Sequence, residues 1–471
     1  MGLSGIAASW LLQRDGLRAA ESTAPTKPEL VPRTYDTRPK PPQHQPRARA
    51  MISMFMLGGP SQIDLFDPKP ELIKRSGEDF SGDVKFDNPA QASREIMGPA
   101  WKFRRHGQCG MELSELLPCL GDVADDITLI RSMHSGANNH FPAMMALYTG
   151  EPIGGRAPLG SWLMYGLGCE SDRLPAFVAM TDPKGPPIRG NVEWYSGNLP
   201  AIYQGTHVRP AEPRIFNLDP PPHLRGAVQE GQLDFLGKFN DKHLREHPGE
   251  NDLSARMASY QLAAQLQLSA REAFDISQET KATIKMYGID QEITRSYGTR
   301  CLIARRLVER GVRFVEIFAS SQEWDHHGGI LTELPNRCRE VDKPAAALVK
   351  DLKQRGLLDS TLVHWGGEMG RLPVVQFRDG KQKRAAIGRD HNTYGFTMWV
   401  AGGGVRGGYV HGQTDDFAHH AVEDVVHHYD WLATVLHQFG LDYKRLKFNV
   451  AGRNVSLVDN QQAQVQHKLL V

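Results

Sequence analysis

Residues 312–329 read VRFVEIFASSQEWDHHGG, and the fold turns on how this stretch is read. A short apolar run rich in β-branched and aromatic side chains stops abruptly at polar residues. An acid, two histidines and two glycines follow. Such a run has the length and composition of a buried strand, so EWDHHGG (323–329) falls in the loop after it. Taken alone, Asp325, His326 and His327 fit metal ligands, a proton-transfer pair or a polar turn.

The same arrangement recurs along the chain. MISMFML (51–57) is ended by Gly58-Gly59-Pro60 and leads into Asp64 and Asp67. ITLIRSM (127–133) leads into His134, Asn138, Asn139 and His140. TLVHWG (361–366) leads into Glu368, and FTMWVAGG (396–403) is preceded by Asp390 and His391. Helical patterns lie between these runs, at 159–168, 253–274, 297–311, 343–356 and 422–440. In the last of them Val425, Val426, Tyr429, Leu432, Ala433 and Leu436 share one face, and Gly440 supplies a stop. Strand–helix alternation predicts an α/β fold: a mostly parallel central sheet covered by helices on both faces, giving three α/β/α layers. Ligands in such sheets sit beyond the carboxyl ends of the strands, so the residues beside the five runs are read as one set.

The chain has 471 residues, with 55 basic and 54 acidic side chains and a net charge of +1. That balance offers no basic surface for nucleic acid or an anionic membrane. The five cysteines include no CxxC pair, which argues against a zinc ribbon; Cys109 and Cys119 are the pair available to an exported protein. Residues 1–21 read as the remnant of a secretion signal, too short to span a bilayer, with Ala19-Ala20 before a cleavage point. They predict an exported, periplasmic or extracellular protein with no membrane span in the mature chain. Residues 22–48 are proline-rich and read as an arm or linker. The main domain is expected at 49–446, with an irregular insertion near 171–250 and a C-terminal tail at 447–471.

Five strand-linked segments each offering Asp, Glu or His suit divalent ions of the zinc, manganese or iron type. A pair of such ions clamps the attacking and leaving oxygens of a displacement at phosphorus or sulfur. The glycines beside the ligands let backbone pass close to an ion. His419-His420 and His427-His428 read as solvated positions around the last helix. The glycine run 402–408 lacks the Lys-Ser/Thr ending of a phosphate loop and reads as turn chemistry.

GGPSQIDLFDPKP, NNHFPAMMALYTG, EWDHHGG, GGEMGRLP, GRDHN and WVAGGGVRGGYVHGQTDD resemble an exported bacterial sulfatase-like family with a domain of unknown function. That family lies within the alkaline phosphatase superfamily. The match runs over about residues 50–445. It implies a hydrolase of phosphate or sulfate esters acting on a small-molecule or glycan ester, with one or two divalent ions (zinc, manganese or calcium).

By the same resemblance the ion ligands are Asp64 (with Asp67 its competitor), His140, Asp325, His327, Glu368 and His391, with His326 the spare. HFPAMMALYTG is similar to the segment that carries the sulfatase nucleophile, and His140 stands at the nucleophile's position. Met369 stands where another ligand histidine is expected. The nucleophile implied is therefore a water molecule whose pKa the ion lowers. Asn139 is placed to stabilise developing charge, and Arg371 and Arg389 to bind an anionic ester oxygen. The alternative is a non-catalytic exported protein that keeps the fold and binds a metal or a glycan.

Overall fold

The computed structural model describes residues 35–471, except 172, 189, 213, 216–220, 222, 224–225, 248–255, 259, 263, 265–271, 378–385 and 460. Residues 1–21, residues 22–34 of the 22–48 arm and much of the 253–274 pattern lie outside the described residues.

Among the described residues, nine strands form the central sheet. In chain order they are β1 (Ala50–Phe55), β2 (Ile127–His134), β3 (Phe177–Met180), β4 (Thr206–Val208), β5 (Phe314–Phe318), β6 (Thr361–Gly366), β7 (Phe396–Ala401), β8 (Tyr409–His411) and β9 (Val426–His427). Their spatial order is β8-β2-β7-β6-β1-β5-β3-β4, with β9 also on β2. Strand β1 sits in the middle, parallel to both β5 and β6. One strand, β7, runs against its neighbours β2 and β6. All five apolar runs singled out in the sequence are strands of this sheet.

Alternation along the strands divides the core in two. Ile52, Met54, Val315, Ile317, Val363 and Trp365 pack toward the helices Glu292–Glu309 and Ile330–Gln354. Met51, Phe55, Phe314, Phe318 and Leu362 pack on the other side, against His140–Thr149, Leu159–Leu167 and His428–Gln438. The result is the expected three-layer α/β/α arrangement.

Several local readings differ. The segment near 171–250 contributes β3 and β4 to the sheet and carries a 20-residue helix, Ala227–Glu246. The last helix begins at His428 rather than 422, because the β-branched Val426 joins β9 beside Met133. His427 then caps the helix through a reciprocal capping box with Asp430. The tail belongs to the core, since Leu457, Val458, Ala463 and Leu469 are buried in the second cluster. All five cysteines are free, including Cys109 and Cys119. Among the described residues no helix is long and apolar enough to cross a membrane.

Candidate metal centre

The carboxyl ends of β1, β2, β5 and β6 face one region, and the reversed strand β7 adds to it from its amino end. That reversal brings in His391, which precedes β7 while the other site residues follow their strands. Asp325 and His327 follow β5, Glu368 follows β6, and His140 opens the helix after β2. The loops are packed tightly enough to require glycine. A Cβ on Gly58, whose φ is +115°, would lie 2.5 Å from the Asp325 backbone nitrogen. A Cβ on Gly388 would lie 2.2 Å from the His326 carbonyl oxygen, whose loop Arg389 joins by donating its backbone N–H over 3.0 Å.

Asp325 is the hub. Its Oδ2 lies 3.2 Å from His140 Nε2. Its Oδ1 lies 3.0 Å from His327 Nε2 and 3.4 Å from His391 Nε2. Arg371 Nη2 is 2.7 Å from the same Oδ1. The far nitrogen of each imidazole is also engaged. His140 Nδ1 donates to Glu368 Oε1 at 2.6 Å, His327 Nδ1 to Gln376 Oε1 at 2.6 Å, and His391 Nδ1 to the Asn138 carbonyl at 3.0 Å. Each ring is thereby fixed with its Nε2 turned to Asp325.

Electrostatics follow from this crowding. Burial acts to raise the Asp325 pKa, yet Arg371 and the three imidazoles hold the carboxyl far below its usual range. Burial acts to lower the His140 pKa, but Asp325 and Glu368 on either side raise it to about 9. Burial dominates at His391, whose pKa is lowered.

These residues fit a divalent ion. Donor atoms of His140, Asp325, His327 and His391 all lie within 4.8 Å of one another. His140 Nε2, His391 Nε2 and Asp325 Oδ1 are buried with no aligned hydrogen-bond partner. They face one another across the Asp325 carboxylate, and an ion placed among them would give each nitrogen lone pair a directed partner. Three imidazole nitrogens and one carboxylate oxygen form a donor set typical of ions that prefer nitrogen.

The structure does not bring every expected residue to these atoms. Asp64 is turned away: its Oδ2 meets Arg389 Nε at 2.8 Å and Ser61 Oγ at 2.6 Å. Glu368 spends its carboxylate on His140 and on the Gly58 backbone N–H, 3.0 Å from Oε1. Arg371 is fully buried, donating to the carbonyls of Gly58, Gly59 and Arg389, so its guanidinium holds Asp325 and the loops and leaves no face for an ester oxygen. Arg389 is likewise consumed by Asp64. Asn139 is the exposed N-cap of the His140 helix, and its side chain makes no capping bond. His326 is buried outside the cluster, and burial pushes its pKa down to about 3.

Gln376 and the Asn138 carbonyl were not found by reading the sequence. The available signal for Gln376 was a single polar residue in the apolar run Val374–Phe377. A cavity of about 620 Å³ lined by Met97, Val375 and Phe377 lies on the other face of that run.

Fold and donor set define an α/β protein with a partly buried histidine–carboxylate centre suited to a divalent ion. The chain belongs to the family described as protein of unknown function (DUF1501), whose model matches residues 48–470. No curated protein matches. Among solved structures, the chain is similar to the PsFucS1 sulfatase from Pseudoalteromonas sp., with 13% identity, 84% of this chain and 68% of that one covered, and a TM-score of 0.36. It is similar to the lipoteichoic acid synthase LtaP from Listeria monocytogenes at 8% identity, 87% and 75% coverage and a TM-score of 0.36. It is also similar to the phosphonate monoester hydrolase SpPMH from Silicibacter pomeroyi at 10% identity, 69% and 68% coverage and a TM-score of 0.32.

Proposed function

We propose that this protein is a metal-dependent hydrolase of phosphate or sulfate esters, exported from the cell and acting on a small-molecule or glycan ester. The observation that carries the reading is the convergence of three imidazole Nε2 atoms, from His140, His327 and His391, on the Asp325 carboxylate at the carboxyl end of the sheet. His140, Asp325, His327 and His391 are the residues that hold the ion. A bound ion of this type polarises an ester oxygen and lowers the pKa of water. Glu368, Gln376 and the Asn138 carbonyl keep the three imidazoles in the ligating tautomer, and Arg371 keeps Asp325 ionised and in place. Asn139, exposed at the entrance, is the side chain placed to meet developing charge on a substrate.

Metal analysis of the purified protein, followed by turnover of an aryl phosphate and an aryl sulfate, tests this. The expected result is bound metal and turnover, both lost in Asp325→Asn and His391→Ala. Full turnover in both variants would sink the assignment. Position 140 holds histidine instead of a serine, threonine or cysteine nucleophile, and this favours a second reading as a non-catalytic binder. Bound metal with no turnover of either ester would select that reading.

A further inference from the structure

The centre is built for one ion. We infer that it takes a single ion of the zinc class, and that the buried Arg389 guanidinium provides the positive charge that a second ion would otherwise bring to Asp64. The inference rests on the proposed metal centre and goes beyond it by fixing ion number and class.

The first argument is the fate of the carboxylates. Asp64 Oδ2 accepts from Arg389 Nε at 2.8 Å and from Ser61 Oγ at 2.6 Å. Its Oδ1 accepts from Arg389 Nη2 at 3.3 Å and from the Ala100 backbone N–H at 3.2 Å. Both partners of this ion pair are completely buried. The guanidinium is held in turn by the carbonyls of Met97 at 2.9 Å, Leu372 at 3.3 Å and Gly98 at 2.9 Å. Arg389 takes both Asp64 oxygens, with Ser61 and Ala100 completing them. Arg371, by contrast, meets only Oδ1 of Asp325 and leaves its Oδ2 turned to the His140 imidazole. A second cation on Asp64 would have to displace its buried Arg389 partner and the donors beside it. Glu368 is similarly committed to His140 and Gly58.

The second argument concerns another group of donors, Asp87, His327, Asp390 and His391, whose ligand atoms also lie within 4.8 Å of one another. The imidazole atoms nearest these two carboxylates are Nδ1 of His327, 3.7 Å from Asp390 Oδ1, and Nδ1 of His391, 3.9 Å from Asp87 Oδ2. Those nitrogens already serve acceptor-only partners. The Gln376 amide is oriented by donating its Nε2–H to Gln91 Oε1 at 3.3 Å, so its oxygen faces His327. The Asn138 carbonyl accepts from His391. An acceptor-only partner requires a proton on Nδ1, and a protonated nitrogen has no lone pair for an ion. Asp390 is itself occupied, with Oδ1 accepting from the His391 backbone N–H at 2.7 Å and Oδ2 from the Asp87 N–H at 3.1 Å. The outer carboxylates therefore stabilise two ligand rings from behind, and the inner set is the ion site.

The third argument is chemical class. Three nitrogens and one oxygen around a compact point match a zinc-class ion, which expands to five-coordinate when a water or ester oxygen joins. Calcium and magnesium are hard ions that favour oxygen ligands, and three of the four donors here are imidazole nitrogens.

The test reads metal directly on the full chain, by elemental analysis and by titration of the metal-free protein with Zn²⁺ and with Ca²⁺. About one Zn²⁺ per chain is expected, undisturbed by Ca²⁺ at equal concentration. Asp87→Asn should keep that one equivalent. Gln376→Leu should weaken Zn²⁺ binding roughly 10- to 100-fold, and Gln376→Glu, which keeps the acceptor, should restore it. The thermal midpoint of the metal-free Gln376→Leu protein, compared with wild type, separates lost orientation from lost fold. Two Zn²⁺ per chain falling to one in Asp87→Asn, or a preference for Ca²⁺, would overturn the inference. One Zn²⁺ without ester turnover would instead reject the hydrolase and leave the one-ion centre standing.

Discussion

Glu368 Oε1 and His140 Nδ1 lie 2.6 Å apart, and the same oxygen accepts the Gly58 backbone N–H. The loop after β1, the loop after β6 and the helix after β2 are therefore joined through one carboxylate. Glu368→Ala should lower stability by about 1–3 kcal/mol, because it leaves buried donors without an acceptor. Glu368→Gln, which keeps an oxygen there, should lose less. Denaturant midpoints of the two variants check the ordering.

Arg371 is a positioning residue in this structure. Its side chain is fully buried, 2.7 Å from Asp325, and surrounded by backbone carbonyls. Arg371→Met should destabilise the protein by about 3–5 kcal/mol, the range for stripping one partner from a buried pair. Metal affinity should fall with stability. A variant that instead stayed fully stable while its KM for an aryl ester rose would place the guanidinium against substrate and refute this role.

Gly58 sets how close the first strand's loop passes to Asp325. Gly58→Ala combines a positive φ with a Cβ only 2.5 Å from the Asp325 backbone nitrogen. A loss of roughly 3 kcal/mol is expected, together with weakened metal binding as the hub residue moves. Calorimetry and metal titration on the same sample check both effects.

Glu193, which is not among the candidate ligands, gives a pH signature of its own. Burial raises its pKa to about 8, and neither carboxylate oxygen has a hydrogen-bond partner. The folded state thus holds a proton that the unfolded chain releases near the ordinary value of 4.5. Stability from this group is complete below about pH 4.5 and is lost as pH rises through about 8. Wild type should lose stability between pH 5 and pH 9 on the order of a few kcal/mol more than Glu193→Gln does. Parallel loss in the two proteins would show that Glu193 is not the group responsible.

Much of the architecture was legible because the sheet's core strands are long apolar runs with abrupt polar ends. Strands β3 and β4 were not, since four and three residues amid prolines and glycines carry too little periodicity. The 422–440 helix was read too long because Val425-Val426 suits the apolar face of a helix as well as a strand. At the site, the structure brings together His140, Asp325, His327 and His391, residues marked by their place beside strand ends. Asp64 and Glu368 occupy equivalent places, and the sequence does not reveal what cation lies opposite each. Only three-dimensional packing shows that Arg389 meets Asp64. Gln376 carried no chemical label at all, because its part is set by the single atom it faces.

The reversed direction of β7 bears on how the protein is made. His391 reaches the centre from the amino end of that strand, and its ring rests on Asn138, 253 positions earlier in the chain. A growing chain can pair β1 with β5 and β6 before His391 emerges. The donor set closes only once the chain passes that residue, so every shorter product lacks a ligand. An ion at the proposed centre would therefore be captured only after β1, β5 and β6 have been made.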